Sequence, residues 1–115
     1  MKHEIKKISK IVDELMTFCF QHECHDMTIS VTDKPDYFKI KMIVDNIDVA
    51  DERVVHLEEL LNGGRQLEME EYCWELAGES DQDTELCLVG MMIDKAEVQY
   101  EGNSLSIKLY RYKVK

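Results

Sequence analysis

The chain has 115 residues, enough for one domain with one modest core, and its ordinary apolar content with few Pro and Gly argues against disorder. Its 14 Lys and Arg against 24 Asp and Glu give a formal net charge of −10. Proteins that bind nucleic acid or anionic membranes present basic surfaces to phosphate. We therefore expect a single domain over residues 1–115 that binds neither nucleic acid nor a membrane.

The sequence contains no targeting or spanning segment that we can identify. No apolar run approaches the length of a membrane span, and residues 1–7 carry charges without the apolar core of a secretion signal. The expected location is cytoplasmic. In that compartment thiols stay reduced, which is the state we expect for Cys19, Cys24, Cys73 and Cys87.

The first half of the chain predicts a long amphipathic helix followed by a β-hairpin. The helix ends near Glu23, and residues 27–44 alternate in polarity around the turn Asp33-Lys34-Pro35-Asp36. One face of the hairpin is expected to pack on the helix. The predicted apolar face of the helix consists of Ile5, Ile8, Val12, Leu15 and Cys19, and the predicted solvent face of Lys6, Lys7, Lys10 and Asp13.

The second half predicts helices and then a second hairpin. In chain order we expect a helix over 51–61 ended by Asn62-Gly63-Gly64, a short helix over 67–77, a loop over 78–83, a helix over 84–94, and two strands within 96–112 joined by a turn at 101–103. Runs of strands and runs of helices predict an α+β fold: a two-layer sandwich with a mixed, mainly antiparallel sheet and helices packed on one face.

Three short stretches, at residues 12–22, 43–49 and 83–94, form a pattern across these elements. In this order they resemble the motifs of the histidine-kinase-like (GHKL) ATPase family, and most closely its small anti-sigma-factor-kinase branch. The positions on which the resemblance depends are Glu14 and Phe18 in the first stretch, Asp45, Ile47 and Val49 in the second, and Asp83 and Glu85 in the third.

The resemblance implies that the first two motifs have lost nucleotide contacts. The family's first motif has a Glu that activates water and, four residues later, an Asn that holds Mg²⁺. Here Glu14 occupies the first position, but Phe18 at the second offers no oxygen ligand to the metal. In the second motif Asp45 stands where the family binds the adenine amino group, while Ile47 and Val49 replace glycines that let backbone approach the base. If the resemblance is set aside, the sequence predicts that Phe18 is a packing residue and that Asp45 is a turn residue.

The third motif has lost its phosphate contacts as well. The family keeps glycines before a helix whose free N–H groups receive phosphate, but here Asp83 and Glu85 occupy those positions, in an acidic stretch from residue 68 to 85 without Lys or Arg. A like-charge contact at ~4 Å costs roughly 4 kcal/mol at an effective dielectric of 20. We expect Asp83 or Glu85 to cap the helix instead of a phosphate.

The leading functional prediction is a non-catalytic regulatory or signalling module without a cofactor, which binds a protein partner. The family branch is often dimeric, so the resemblance also implies a homodimer. One alternative is an active ATP-dependent serine protein kinase that holds phosphate with Arg65 or Lys34. A second alternative is a metal or thiol sensor. Its weak candidate ligands are Cys19, His22, Cys24 and His25.

Tyrosines supply one further expectation. Tyr100, Tyr110 and Tyr112 are predicted to line one face of the sheet, and that face is an interaction site if no helix covers it.

Overall fold

The computed structural model describes residues 3–24, 26–69 and 82–113. Within these ranges the chain forms three helices and four strands. In chain order they are α1 (Glu4–Gln21), β1 (Met27–Asp33), β2 (Tyr37–Val44), α2 (Asp51–Leu61), α3 (Gln82–Met91), β3 (Lys95–Glu101) and β4 (Ser104–Tyr112). The predicted α+β class, with helices on one face of a sheet, is confirmed.

The four strands form one sheet in the order β1-β2-β4-β3, and each of its pairings is antiparallel. Helices α2 and α3 carry the chain from β2 to the far edge, and the second hairpin then returns β4 to lie beside β2. This connection gives antiparallel neighbours throughout, so the described part of the sheet contains no parallel pair, contrary to the predicted mixed sheet. The hairpins at 27–44 and 95–112 join one sheet, as predicted.

The two hairpin turns follow from their residues. At the first, Pro35 fixes its own φ, and the Lys34 N–H donates to the Tyr37 carbonyl at 2.8 Å. At the second, Gly102 and Asn103 both have positive φ, 55° and 65°, which matches a two-residue turn of the type that suits the twist of paired strands. Glycine and asparagine are the residues that adopt this backbone at least cost.

The buried face of α1 differs from the predicted one. The stripe consists of Lys7, Ile11, Glu14, Leu15, Phe18 and Cys19. Ile5, predicted to be buried, is 81% exposed, whereas Lys7, predicted to face solvent, is 1% exposed. Hydrophobic spacing alone misplaced the stripe because two charged residues, Lys7 and Glu14, lie on it and are buried.

Helix α1 ends in a backbone motif that returns the chain toward the sheet. Glu23 adopts φ 58°, and its N–H donates to the Phe20 carbonyl at 3.2 Å. The Cys24 N–H reaches the Cys19 carbonyl, also at 3.2 Å. This pair of bonds is the Schellman arrangement, in which the residue after the left-handed one packs on the last turn. Cys24 is buried as a result.

Helices α2 and α3 approach each other at a glycine. A Cβ placed on Gly90 would lie 2.3 Å from the Leu60 carbonyl oxygen, so the helix contact requires glycine. Helix α2 spans the predicted residues 51–61. Helix α3 begins at Gln82, within the predicted loop, and ends at Met91 rather than residue 94. The predicted short helix over 67–77 lies outside the described residues from 70 onward, and residues 67–69 form a turn.

Apolar side chains from all three helices and from the inner face of the sheet form the core. One buried ion pair crosses it. Arg111 is fully buried, and its Nε and Nη2 donate to the two carboxylate oxygens of Glu4 at 2.8 and 3.0 Å, while Nη1 donates to the Met92 carbonyl at 2.6 Å. The start of α1, the end of α3 and the last strand therefore meet at one guanidinium group.

In the described part of the chain, no helix combines the length and the apolar character that a membrane crossing requires.

We expect Glu4→Ala to lower the free energy of unfolding by roughly 3 kcal/mol, because it leaves the buried Arg111 charge without its carboxylate. Urea denaturation measures the loss. The matched control is Glu97→Ala, which removes a solvent-exposed pair with Lys95 and should change stability by less than about 1 kcal/mol. Equal effects of the two substitutions would contradict the structural role given to Arg111.

Candidate functional site

Phe18, a residue of the first predicted motif, lies on α1 on the helix-covered side of the sheet. Its side chain is fully buried. The His22 ring is tilted against it with centroids 4.5 Å apart, and the Arg53 guanidinium carbon lies 5.5 Å from the ring centroid on the other helix. His22 Nδ1 is also 2.9 Å from the Phe18 carbonyl oxygen. Phe18 is a core residue that joins α1 to α2.

Residues 45–50, between β2 and α2, are fastened to the second hairpin. The Ile47 N–H donates to the Asn103 carbonyl at 3.0 Å. The Tyr100 hydroxyl accepts the Val49 N–H at 3.2 Å and donates to the Ile47 carbonyl at 2.8 Å. Ile47 and Val49 consequently lie in the core, 1% and 4% exposed.

Asp45 lies apart from this buried segment. It is exposed at the end of β2 and accepts a hydrogen bond from the Ser104 hydroxyl at 2.9 Å. The next residue, Asn46, has a positive φ of 58°. The carboxylate thus fastens the end of β2 to the start of β4, which is the turn role that the sequence left open as an alternative to binding adenine.

Two carboxyl groups face each other between α1 and α3. Glu14 and Glu85 are each 3% exposed. Burial raises the pKa of Glu14 above its ordinary value, and the negative charges of Glu85 and Asp13 raise it further, while Lys10 opposes them. A buried carboxyl group whose pKa is raised by neighbouring negative charge disfavours a further anion beside it.

Glu85 is the fourth residue of α3 and is buried beside Glu14, so it does not stand at the first residue of the helix as the capping prediction required. Asp83 belongs to the first turn of α3, and its side chain lies outside the described residues. The predicted cap by Asp83 therefore stays a prediction.

The Cys and His cluster at the end of α1 is built for packing rather than for ligation. The Cys19 thiol donates to the Met42 sulfur at 3.6 Å, and the Cys24 thiol donates to the Asp26 carbonyl at 3.4 Å. Burial, with the neighbouring Cys24, raises the pKa of Cys19 to about 12. A thiol protonated at neutral pH is a poor metal ligand and nucleophile.

No three His, Cys, Asp or Glu side chains converge into a metal site among residues 3–24, 26–69 and 82–113. The fourth residue of the proposed cluster, His25, lies outside the described residues. Cys19, Cys24 and Cys87 are free thiols, and Cys73, the fourth cysteine expected to be reduced, lies outside the described residues.

The structural roles of three polar residues gave no clear signal in the sequence. Tyr100, predicted to share a sheet face with Tyr110, points to the opposite face because it is paired with Leu105. Arg111 continues the inward alternation of β4 in a position that usually holds an apolar residue. Arg65, the cation of the kinase alternative, donates to Asp94 and to the Tyr112 carbonyl, each at 2.7 Å.

No protein-family model matches the chain, and a search of the curated proteins finds no match. The resemblance to the histidine-kinase-like ATPases therefore rests on the three motifs alone, and function has to be inferred from the geometry of the described residues.

Replacement of Glu14 by Gln should stabilise the protein at pH 7. Below about pH 4.5 the carboxyl group is protonated in both the folded and the unfolded chain, so it costs nothing. As the pH rises through the higher pKa of the folded state, the ionised form becomes costly in that state only. The variant should thus gain more than about 0.5 kcal/mol at pH 7 and lose the advantage at pH 4.

Urea denaturation at the two pH values measures this gain, with the exposed Glu101→Gln as the matched control. A Glu14→Gln variant that is less stable than the parent at pH 7 would mean that the carboxylate is held ionised by favourable contacts.

Proposed function

We propose that the protein is a non-catalytic module that regulates or signals by binding another protein, on a fold whose nucleotide-binding chemistry has been lost. One observation carries the proposal. Phe18 stands where the family holds Mg²⁺, and Ile47 and Val49 replace the glycines that let backbone approach the base; all three are packed in the core.

Electrostatics supports the loss of nucleotide binding. The place between α1 and α3 holds two buried carboxyl groups, Glu14 and Glu85, where a triphosphate needs cations or free backbone N–H groups. Bringing a phosphate close to either group would add like-charge repulsion in a weakly solvated site. A Mg²⁺ ion would need oxygen ligands at the Phe18 position, and the ring provides none.

The kinase alternative loses its best phosphate ligand. Arg65 is bound to Asp94 by a 2.7 Å ion pair in which its side chain is 7% exposed. Turning the guanidinium toward a phosphate would break this pair and the bond to the Tyr112 carbonyl. The second cation, Lys34, lies in the exposed turn between β1 and β2, on a different part of the chain from Glu14 and Glu85.

The thiol-sensor alternative is also disfavoured by its geometry. Cys19 is fully buried and its pKa is raised, so oxidants and metals would meet a protonated and shielded sulfur. A binding module on a rigid scaffold needs no such group. Binding of a protein partner needs an exposed surface of defined shape and charge, which the sheet supplies.

Millimolar Mg-ATP, Mg-ADP or Mg-GTP should leave the melting temperature unchanged. A ligand present at 100 times its Kd would stabilise the folded state by about 2.7 kcal/mol, which a thermal-shift assay detects as a rise of several degrees. An ATPase of the same family, melted in parallel, verifies that the assay reports binding. A reproducible rise for this protein with Mg-ATP, absent with Mg²⁺ alone, would overturn the proposed function.

A further inference from the structure

The sheet has one face that no described helix covers. The core residues of the strands, such as Ile40, Ile107 and Leu109, point toward the helices. Because side chains alternate along a strand, the residues between them point the other way. From the pairing register, this outer face consists of Thr28, Ser30, Thr32, Tyr37, Lys39, Lys41, Ile43, Lys95, Glu97, Gln99, Glu101, Ser104, Ser106, Lys108, Tyr110 and Tyr112. We call it the outer sheet face.

The charge of the outer sheet face is opposite to that of the chain. It carries four lysines and two glutamates, although the whole protein has a formal net charge of −10. The lysines are concentrated on the central strands: Lys41 stands directly opposite Lys108, and Lys39 directly opposite Tyr110. The basic residues are therefore separated from the acidic remainder of the surface.

The Lys41–Lys108 pair destabilises the sheet by like-charge repulsion, and a bound anion would offset that repulsion. Like charges directly opposite on neighbouring strands destabilise a sheet. Glu97, the neighbour of Lys108 on its other side, is already paired with Lys95 at 3.3 Å. A carboxylate placed above Lys41 and Lys108 would therefore offset a repulsion that the fold itself leaves in place.

Aromatic rings add apolar contact area to this positively charged face. Tyr37 lies with its ring centroid 5.9 Å from Tyr110 and 6.2 Å from Tyr112, so the three rings form one cluster. Tyr112 is 49% exposed and Ile43 36% exposed. Tyrosine is enriched where proteins bind proteins because it combines apolar area with a polar hydroxyl.

The lysines and rings are arranged for carboxylates rather than for nucleotide bases. The ammonium groups of Lys39 and Lys95, from the strands on either side, both lie 5.8 Å from the Tyr110 ring centroid. Both cations therefore lie where a carboxylate of a ligand bound against the ring could pair with them. The net charge of −10 opposes a chain with a negative charge at every unit, such as a nucleic acid, more strongly than a segment in which carboxylates are interspersed with uncharged side chains.

We propose that the outer sheet face binds an acidic segment of a partner protein, in which Glu or Asp residues are interspersed with apolar or aromatic ones. The carboxylates contact Lys39, Lys41 and Lys108, and the apolar side chains contact the tyrosine cluster. This inference rests on the proposed function, since it names the surface and the partner chemistry through which such a module acts. The inference does not depend on whether the buried carboxyl groups of Glu14 and Glu85 are protonated.

The test uses the full chain and a short fluorescein-labelled peptide of repeated Glu-Glu-Phe units, followed by fluorescence anisotropy at low and high salt. The protein should bind this peptide more tightly than a matched peptide of Gln-Gln-Phe units, and binding should weaken as salt rises. The double variant Lys39→Gln/Lys108→Gln should weaken binding about fivefold or more. The control Lys6→Gln/Lys10→Gln removes two charges on α1, on the other side of the sheet, and should have little effect.

Several results would overturn the inference. Equal loss of binding in the two double variants would show that only net charge matters. No preference for the Glu peptide, or tighter binding of a labelled oligothymidylate, would exclude an acidic protein segment as the ligand. Sedimentation showing a dimer that dissociates in the Lys39→Gln/Lys108→Gln variant would assign the face to a second copy of the chain. Failure of the peptide test without any Mg-ATP binding would leave the proposed function standing and remove only this surface.

Discussion

The buried ion pair between Arg111 and Glu4 holds the two layers of this molecule together. One guanidinium group on the last strand reaches the first turn of α1 and the carbonyl that follows α3, at distances of 2.6–3.0 Å. A fully buried arginine is stable only when its donors are matched, and here α1 and the residue that follows α3 supply acceptors. Both helices are thereby fixed on the same face of the sheet, opposite the face that no described helix covers.

This division gives the two faces of the sheet different properties. The helix side is closed by packing: Phe18, Ile47 and Val49 belong to the core, and the Tyr100 hydroxyl fastens the segment that contains the last two. Glu14 and Glu85 are buried there, and burial raises the pKa of Glu14. The outer face combines lysines with exposed tyrosines, so recognition of another molecule fits that face better than the closed one.

The sequence predicted most elements because their signals are local. Alternation defined the two hairpins, and Asn62-Gly63-Gly64 ended α2 at the predicted residue. It failed where a long-range contact decided the outcome. Lys7 and Arg111 are buried although charged, and Gly90 matters only because α2 passes 2.3 Å from where its Cβ would be. The start of α3 was placed two residues late, since Gln82 and Asp83 resemble loop residues.

The site was predictable in part for the same reason. The motifs showed that Phe18, Ile47 and Val49 stand where the family has a polar residue or glycines. Apolar residues of this kind are usually buried. The proximity of Glu14 and Glu85 could not be predicted from the motifs, because it depends on how α1 and α3 pack. The outer sheet face could not be predicted either, because Lys41 lies opposite Lys108 only through the pairing of β2 with β4.

The central claim is that residues 45–50 are closed onto the sheet and leave no space for a nucleotide. Residue-resolved hydrogen exchange of the backbone amides tests it most directly. The Ile47 and Val49 amides, which donate to Asn103 and Tyr100, should exchange as slowly as the amide of Ile107 in the centre of the sheet. Exchange of both amides at the rate of an unstructured loop would contradict the claim, because it would mean that the segment opens and exposes the site.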